Sequence, residues 1–427
     1  MLSYAETIEY LYHAAPLFQN IGAGAYKEGL SNTHALDEHF GHPHRRYRTI
    51  HVAGTNGKGS TSSMLAAILQ SAGLRVGLYT SPHLVDFRER IRVNGEMIPE
   101  QRVIDFVEQE RAFFEPLYPS FFELTTALAF LYFAEQEVDV AVVEVGLGGR
   151  LDCTNIITPD LSIITNISFD HQQFLGDSLA KIAAEKAGIM KKGRGVVVGE
   201  TNHHAEVREV FVRVFNEKNA SNSAKPSLRF ADEEPQYSTV TTPSLKGSYQ
   251  RVNVQTVLCA IDELCKQPFY AERLTDEAVG EGLAHVMELT GLRGRWQQVS
   301  ERPTMVCDVG HNAAGIAYVV EQLSRQEAPI LRVIFGMVDD KDYEQALTLY
   351  EQVRDRAVLY ITQPSSKRAL EARRLAAVAQ AHGLLVKTCV PTIKEAVEAA
   401  LADANPDDFV LISGSCYLVA DYFSIFC

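Results

Sequence analysis

The sequence predicts an α/β protein with two domains, each built around a mostly parallel sheet. Short apolar runs rich in β-branched residues recur along the chain. Most are followed by a stretch of helical periodicity, which is typical of parallel strands joined by crossover helices. The length of 427 residues suits two or three domains, and 46 % of the residues are apolar, enough to bury a core in each.

The predicted strands fall into two series, one for each domain. The first series comprises residues 49–53, 76–79, 138–145, 161–165 and 196–199. The second comprises residues 305–309, 330–335, 357–361, 384–387 and 409–412. Their continuous apolar character is typical of strands that are covered on both faces. The segment GLRGR at 291–295 separates the two series, so we expect one domain over residues 1–292 and another over 293–427.

The chain is acidic and shows no targeting or membrane-spanning pattern. Asp and Glu number 54 against 40 Lys and Arg, and the formal net charge of −14 disfavours binding to nucleic acid or anionic membranes. There is no basic and then apolar leader, and no apolar run of about 20 residues. Seven scattered cysteines without CxxC spacing indicate neither a disulfide framework nor a zinc site. We therefore expect a cytoplasmic protein, and the lack of a heptad pattern favours a monomer.

A glycine-rich turn follows the first predicted strand and leads into a helix predicted to start near Ser60. Its glycines allow several backbone N–H groups to converge on an anion, and the helix N-terminus adds partial positive charge. Lys58 supplies an ammonium group for terminal phosphates, and Ser60 or Thr61 supplies a hydroxyl for phosphate or magnesium. The strict Walker pattern is not met, because only two residues separate Gly54 from Gly57. We therefore predict a variant loop that binds nucleotide phosphates through Gly54, Thr55, Asn56, Gly57, Lys58, Gly59, Ser60 and Thr61.

This loop is the first of a series of motifs that occur in a fixed order. They are GTNGKGS (54–60), YTSPHLVDFRERI (79–91), EVGLGGRLDCTN (144–155), ISFDH (167–171), EKAGI (185–189), GRWQ (294–297), DVGHN (308–312), GMVDDKD (336–342) and SGSCYLVADYF (413–423). Together they resemble the folylpolyglutamate synthase and dihydrofolate synthase family, a branch of the Mur ligases. The resemblance covers most of the chain.

The resemblance implies an N-terminal P-loop ATPase domain and a C-terminal Rossmann-like α/β domain that ligates glutamate. It implies a ligase that uses ATP and magnesium to join L-glutamate to the carboxylate of dihydropteroate or of reduced folates through an acyl-phosphate intermediate. Amide formation needs such activation, because a free carboxylate is a poor acyl donor. The presence of the pterin-contacting segment favours an enzyme with both synthase activities.

A divalent-metal site is expected at the end of the strand VDVAVVEV. Glu144 lies near the end of this apolar run, where a carboxylate is costly unless it serves a purpose, and strand ends are where open α/β sheets bind ligands. The resemblance implies that Ser81, Glu144 and His171 are the metal ligands and that two magnesium ions bind. From the residues alone, Ser81 is also interpretable as a turn hydroxyl before Pro82, and His171 as a helix-capping or core histidine. Histidines 42, 44, 203 and 204 are interpreted as isolated and exposed.

Lys186 has two interpretations. From the sequence alone it lies on a predicted helix beside Lys181 and Glu185, as a solvated helix face would. The resemblance implies instead that this lysine is carbamylated and lies beside the second magnesium. Lys58, Lys186 and His171 are therefore the predicted catalytic residues.

The resemblance also implies further contacts to the nucleotide and to both substrates. For the nucleotide these are Asn253, Arg295 and Asp308, and Arg295 follows the domain boundary, so it is suited to move on domain closure. The pterin or folate is expected at Ser120, Phe121, Phe122, Glu123, Leu151, Asp152 and Cys153, and glutamate near His311 and Ser413. The alternative for residues 120–133 is a plain buried helix. The family's usual GxHQ appears here as GSYQ (247–250), with Tyr249 in place of the histidine.

Two other functions fit part of this pattern. Another Mur-type amino-acid ligase shares the ATP chemistry, but such enzymes usually carry an additional N-terminal domain, and only about 50 residues precede the phosphate loop here. A P-loop switch protein without ligase activity does not need Glu144, His171, Lys186 or a second domain.

Overall fold

The computed structural model describes residues 2–14, 29–201, 204–220, 226–237, 239–240, 242 and 244–427. The backbone forms two compact units. One contains Met1–Ser244 and Gln250–Leu292, and the other contains Leu245–Tyr249 and Arg293–Cys427. No helix in the described part of the chain is long and apolar enough to cross a membrane.

The N-terminal unit is built on an eight-stranded, mostly parallel sheet. Its strands are β1 (Arg48–Ala53), β2 (Val76–Tyr79), β3 (Ile91–Val93), β4 (Glu96–Met97), β5 (Val140–Glu144), β6 (Leu161–Asn166), β7 (Gly195–Glu200) and β8 (Leu228–Phe230), in the order β4-β3-β2-β5-β1-β6-β7-β8. β3 runs antiparallel to both β2 and β4, and the other pairs are parallel. The carboxyl ends of the parallel strands therefore share one edge of the sheet.

Helices pack on both faces of this sheet. They are α1 (Tyr4–Ala14), α2 (Ser31–His39), α3 (Lys58–Ser71), α4 (Glu100–Phe114), α5 (Phe121–Glu135), α6 (Gln172–Leu175), α7 (Leu179–Ala187), α8 (Ala205–Asn219), α9 (Gln250–Leu264), α10 (Pro268–Ala271), α11 (Asp276–Ala284) and α12 (Val286–Thr290). One buried cluster joins α4 and α5 to β2 and β5, and another joins α7 and α8 to β6 and β7. Ten consecutive residues of α3, from Ser60 to Leu69, are buried, so the helix that follows the phosphate loop is central to the unit.

The C-terminal unit repeats the architecture with six strands. They are β9 (Gln297–Glu301), β10 (Thr304–Cys307), β11 (Leu331–Phe335), β12 (Ala357–Ile361), β13 (Leu385–Cys389) and β14 (Phe409–Ser413), in the order β13-β12-β11-β14-β10-β9. Only the pairing of β9 with β10 is antiparallel. Its helices are α13 (Ala313–Ser324), α14 (Tyr343–Tyr350), α15 (Ala372–Ala381), α16 (Ile393–Asp403) and α17 (Cys416–Phe426). The predicted fold class, α/β with mostly parallel sheets, is confirmed.

Local predictions differ from the structure in three ways. The helix after the phosphate loop begins at Lys58, two residues before the predicted start. The short strands β3 and β4 and the polar edge strand β9 were not predicted, because each lacks a sustained apolar run. His44 is buried, and both His42 and His44 contact the Asp37 carboxylate, at 2.6 and 2.8 Å, so the expectation of isolated exposed histidines is wrong for this pair. His203 lies outside the described residues.

The C-terminal unit contains a buried ion pair next to its sheet. Arg332 donates to the Asp408 carboxylate from Nε at 3.0 Å and from Nη2 at 2.8 Å, and both residues are buried. The neighbouring Phe409 stacks on Trp296 with ring centroids 5.9 Å apart. Trp296 is the single tryptophan of the chain, so its fluorescence reports on this unit.

We expect Asp408→Asn to destabilise the C-terminal unit by about 3 kcal/mol, because it leaves the Arg332 charge buried without a carboxylate. Urea unfolding followed by Trp296 fluorescence measures this effect as a lower transition midpoint. Asp355→Asn is the matched control, since the Asp355 side chain is 98 % exposed. An unchanged midpoint for Asp408→Asn would show that the pair contributes nothing to stability.

Candidate active site

The phosphate loop connects β1 to α3 and is enclosed by two neighbouring elements. A Cβ atom on Gly54 would overlap the hydroxyl of Thr165 at the end of β6, and one on Gly57 would overlap the Asn253 amide on α9. Gly57 also has a left-handed backbone with φ +82° directly before the helix. Glycine is therefore required at both positions by close approach, and at Gly57 by conformation as well.

Polar side chains hold this loop in place. Thr165 Oγ1 donates to Asn56 O at 2.6 Å, and Asn56 N donates to Asn166 Oδ1 at 2.9 Å. Thr165 and Asn166 were absent from the predicted site, although a polar Thr-Asn pair that ends an apolar strand is a signal for one. Both residues lie where the strand meets the loop, so they fix the loop's backbone.

Asn253 lies against the loop as part of α9. Gln250 Nε2 donates to Ser60 Oγ at 3.2 Å, and Asn253 Nδ2 donates to Gln250 Oε1 at 2.8 Å. Asn253 is the fourth residue of α9, so it lies within the helix and does not cap it. The Thr61 hydroxyl is buried and has no hydrogen-bond partner among the described residues. The loop therefore presents buried polar groups at the start of α3.

Two lysines converge on one backbone oxygen of the loop. Lys58 Nζ donates to Gly54 O and to Thr55 O, both at 3.1 Å, and Lys186 Nζ donates to the same Gly54 O at 2.8 Å. Lys186 is 4 % exposed. The interpretation of Lys186 as part of a solvated helix face is therefore wrong, since α7 turns this residue toward the phosphate loop.

This environment changes the protonation of Lys186. Burial lowers the pKa of its ammonium group to about 7, with a further lowering from the charge of Lys58, while Asp170 and Asp152 oppose the change. A large fraction of Lys186 is consequently a neutral amine near neutral pH. A neutral amine is a nucleophile, whereas an ammonium group is not.

The structure brings together two of the predicted metal ligands. Glu144 ends β5 and is 3 % exposed, and Ser81 N donates to Glu144 Oε2 at 3.2 Å. The Glu144 carboxylate and the Ser81 hydroxyl are oxygen donors of the kind that magnesium prefers. His171 directly precedes α6 with a left-handed backbone, and its Nε2 lies 3.7 Å from Asp170 Oδ1. Across the described residues, no group of three or more His, Cys, Asp or Glu side chains has the arrangement of a metal site.

The expected pterin segment begins α5, and its two phenylalanines differ in exposure. Ser120 and Glu123 form a capping box, with Ser120 N donating to Glu123 Oε2 at 2.6 Å and Glu123 N donating to Ser120 Oγ at 3.2 Å. Phe121 is part of the hydrophobic core, with the Arg90 guanidinium 5.2 Å from its ring centroid. Phe122 is partly exposed. Phe121 is therefore a core residue, and Phe122 is the one available for stacking.

The second expected pterin segment is a loop fixed by its own acidic residue. Asp152 Oδ2 accepts from Leu147 N at 2.9 Å, and Oδ1 accepts from Thr154 N at 3.0 Å. Burial raises the pKa of Asp152, while these hydrogen bonds oppose the rise. Burial also raises the pKa of the Cys153 thiol. Leu151 and Cys153 are partly exposed, whereas Asp152 is buried.

In the C-terminal unit, Asp308 follows β10 as a buried hydrogen-bond acceptor. Its Oδ2 accepts from Trp296 N at 2.8 Å and from the Tyr249 hydroxyl at 2.6 Å, and its Oδ1 accepts from Gly310 N at 2.8 Å. Burial raises the pKa of Asp308, and these hydrogen bonds together with the charge of Arg295 oppose the rise. Arg295 and Asp308 thus lie near each other, as expected for residues that share a ligand.

The two residues expected near glutamate differ in accessibility. The His311 imidazole is partly exposed and contacts Val309 O through Nδ1 at 3.0 Å. Ser413 ends β14 and is fully buried. Its hydroxyl does not face solvent, so a direct contact between Ser413 and glutamate does not fit this structure.

Comparisons with known proteins identify the family. The family model described as the Mur ligase middle domain matches residues 52–258, and the model described as the Mur ligase, glutamate ligase domain matches residues 294–416. The dihydrofolate synthase/folylpolyglutamate synthase of Bacillus subtilis is 33 % identical over 92 % of this chain and 94 % of its own length. The chain belongs to the folylpolyglutamate and dihydrofolate synthase family. The folylpolyglutamate synthase of Lacticaseibacillus casei is likewise 33 % identical, over 98 % of this chain and 97 % of its own.

Solved structures of this synthase family share the fold. Escherichia coli FolC in complex with DHPP and ADP superposes with a TM-score of 0.83 at 28 % identity, covering 99 % of this chain and 97 % of the other. The bifunctional enzyme of Yersinia pestis complexed with AMPPNP and Mn ion superposes with a TM-score of 0.81 at 29 % identity, covering 99 % and 98 %. The predicted family and enzyme class, an ATP-dependent Mur-type ligase, are confirmed.

Proposed function

We propose that this synthase joins L-glutamate to the carboxylate of dihydropteroate and of folylpoly-γ-glutamates, using ATP and magnesium, through an acyl phosphate. Family membership supports the reaction class. Complexes of similar proteins with DHPP and ADP, and with Mn, AMPPNP and L-glutamate, support the ligand classes. The observation in this chain that carries the proposal is the convergence of Lys58 and Lys186 on the phosphate loop beside buried polar groups.

The phosphate loop is proposed to hold the ATP phosphates. Its N–H groups and the N-terminus of α3 supply partial positive charge, and Lys58 supplies a full one. Lys58 donates to two loop carbonyls in the structure, and we propose that it exchanges them for phosphate oxygens. Transfer of the γ-phosphoryl group to the acceptor carboxylate then makes phosphate the leaving group, which the glutamate amine displaces from the acyl carbon.

Ser81, Glu144 and His171 are the proposed ligands of two magnesium ions, the second of them beside Lys186. Burial of Glu144 and its oxygen chemistry fit a hard cation. When bound, magnesium supplies positive charge beside the phosphate oxygens. Glu144, held by the Ser81 N–H, remains oriented before any ligand arrives.

Lys186 is proposed to carry a carbamate. In that reaction the neutral amine attacks the carbon of CO2, an N–C bond forms, and the nitrogen releases a proton. The lowered pKa of Lys186 favours the neutral amine, and the charge of Lys58 favours the anion that forms. The modification converts a cation into a carboxylate-like group at the phosphate loop.

The substrate contacts follow from exposure and position. We assign Asn253, Arg295 and Asp308 to the nucleotide. Phe122, Leu151 and the capped start of α5, including Ser120 and Glu123, are assigned to the pterin, with Asp152 and Cys153 shaping the loop and Phe121 supporting it from the core. His311 is assigned to glutamate without Ser413, because that hydroxyl is fully buried. The proposed domains are an ATP-binding domain over residues 1–292 and a glutamate-ligating domain over 293–427.

The net charge of −14 supports a protein that does not bind nucleic acid or anionic membranes. Its small anionic substrates are proposed to bind at a few local positive groups. We propose that it acts as a monomer in the cytoplasm.

We expect phosphate release from ATP to require both L-glutamate and an acceptor, because the acyl phosphate forms on the acceptor and is consumed by the amine. A coupled phosphate assay measures this requirement. Lys58→Met should lower kcat/KM by at least about a hundredfold, whereas Lys181→Met, at a 63 % exposed lysine, should not change it. Hydrolysis that proceeds equally without glutamate would support a switch protein instead.

The same assay, run in parallel with dihydropteroate and tetrahydrofolate, tests whether one chain has both activities. We expect turnover of both acceptors, with products of increasing glutamate number from the folate in chain-length analysis. No turnover of dihydropteroate would remove the dihydrofolate synthase activity from the proposal.

We expect Lys186→Ala to lose most activity and to regain part of it when acetate or formate is added, because a small carboxylate replaces the missing carbamate. Intact-protein mass measurement of the wild type in bicarbonate should show the added mass of one CO2. Carbamate formation should decline as the pH falls below about 7, since the amine is then protonated. Lys181→Ala is the control, and full activity of Lys186→Ala without carboxylate would contradict the role.

A further inference from the structure

The segment Leu245–Tyr249, called the strap here, is held by the C-terminal unit although it directly precedes α9 in the chain. Ser248 N donates to Gln322 Oε1 on α13, and Gln322 Nε2 donates back to Lys246 O at 3.1 Å. Leu245 is buried. A single glutamine therefore ties two strap residues to α13, and it fixes the position from which Tyr249 reaches its partner.

That partner is Asp308. The Tyr249 hydroxyl donates to Asp308 Oδ2 at 2.6 Å, and the Tyr249 ring lies beside the Tyr318 ring at 6.1 Å between centroids. The other hydrogen bonds to Asp308 come from backbone N–H groups of Trp296 and Gly310. Within the described part of the chain, Tyr249 thus provides the side-chain hydrogen bond that orients this buried carboxylate.

We propose that Tyr249 is a positioning residue for the ligase reaction, which holds the Asp308 carboxylate in its nucleotide-binding orientation. This inference rests on the proposed role of Asp308 toward ATP. The next residue in the chain, Gln250, donates to Ser60 of the phosphate loop. Gln250 thus holds Ser60 within the N-terminal unit, and Tyr249 holds Asp308 within the C-terminal unit.

The chemistry at position 249 requires a donor. A tyrosine hydroxyl is neutral and directional, and a hydrogen bond from it to a carboxylate is short and strong. An imidazole N–H is also a ring-borne donor, so histidine at this position keeps a donor for the carboxylate. Tyr249→Phe removes the donor and keeps the ring, so Asp308 keeps the backbone donors of Trp296 and Gly310 but is freer to rotate.

We expect Tyr249→Phe to raise the KM for ATP about tenfold with kcat changed less than about twofold, because Asp308 contacts the nucleotide before and during the reaction. Tyr249→His should restore the KM to within about threefold of the wild type, since it returns a donor. Tyr343→Phe is the matched control in the same unit, because its hydroxyl accepts from Arg374 on the surface. Circular dichroism and Trp296 fluorescence confirm that each variant is folded.

The decisive comparison is a double-mutant cycle with Asp308→Asn. If Tyr249 acts through Asp308, adding Tyr249→Phe to Asp308→Asn raises the KM for ATP no further. Additive effects on the KM for ATP would overturn the inference. It would also be overturned if Asp308→Asn alone raised this KM while Tyr249→Phe alone left it at the wild-type value. A wild-type KM for ATP in Asp308→Asn would overturn both the inference and the nucleotide role assigned to Asp308. The ligase function is tested separately, by whether phosphate release by the wild type depends on the acceptor and on glutamate.

Discussion

The carbonyl oxygen of Gly54 accepts hydrogen bonds from two lysines, and the candidate site of the N-terminal unit depends on this convergence. Lys58 reaches it from the first turn of α3 and Lys186 from the last turn of α7. Two ammonium groups at one oxygen in a buried setting repel each other, so one of them tends to lose its proton. Lys186 is the lysine that loses its proton more readily, because burial and the charge of Lys58 lower its pKa.

The phosphate loop is also held by close packing around two of its glycines. Thr165 and Asn253 approach Gly54 and Gly57 so closely that no side chain fits at either glycine. Such packing holds the backbone of Gly54 in place, with its carbonyl oxygen accepting from both lysines. In the C-terminal unit the roles are reversed, because a side-chain carboxylate, that of Asp308, accepts from a tyrosine hydroxyl and from backbone N–H groups.

Much of this arrangement was predictable from local sequence. The parallel strands have sustained apolar runs, and the glycines with Lys58 between a strand and a helix identify a phosphate loop. Glu144 was identifiable because a carboxylate at the end of an apolar strand needs a reason to be there. These features depend on residues within one or two elements, so periodicity and spacing are enough to find them.

Other features depend on how distant elements approach one another, and local sequence does not encode that. The local sequence AAEKAGI predicts a solvated Lys186, and only the packing of α7 against the phosphate loop buries it. Phe121 and Phe122 are adjacent and chemically identical, but Phe121 is buried in the core whereas Phe122 packs against it and is partly exposed. Ser413 is polar and follows an apolar strand as a ligand contact would, yet the strand end is covered. The polar edge strand β9 has no apolar run and is defined only by its pairing with β10.

Burial and the charge of Lys58 lower the pKa of the Lys186 ammonium group to about 7 at the phosphate loop. NMR titration of protein labelled with 13C at the lysine ε carbons, in CO2-free buffer and with Lys186→Arg to assign the resonance, measures this most directly. We expect a midpoint near pH 7 that rises in Lys58→Met, since the charge of Lys58, the second cause of the lowered pKa, is then removed. A midpoint near the ordinary lysine value of 10.5, unchanged in Lys58→Met, would contradict it.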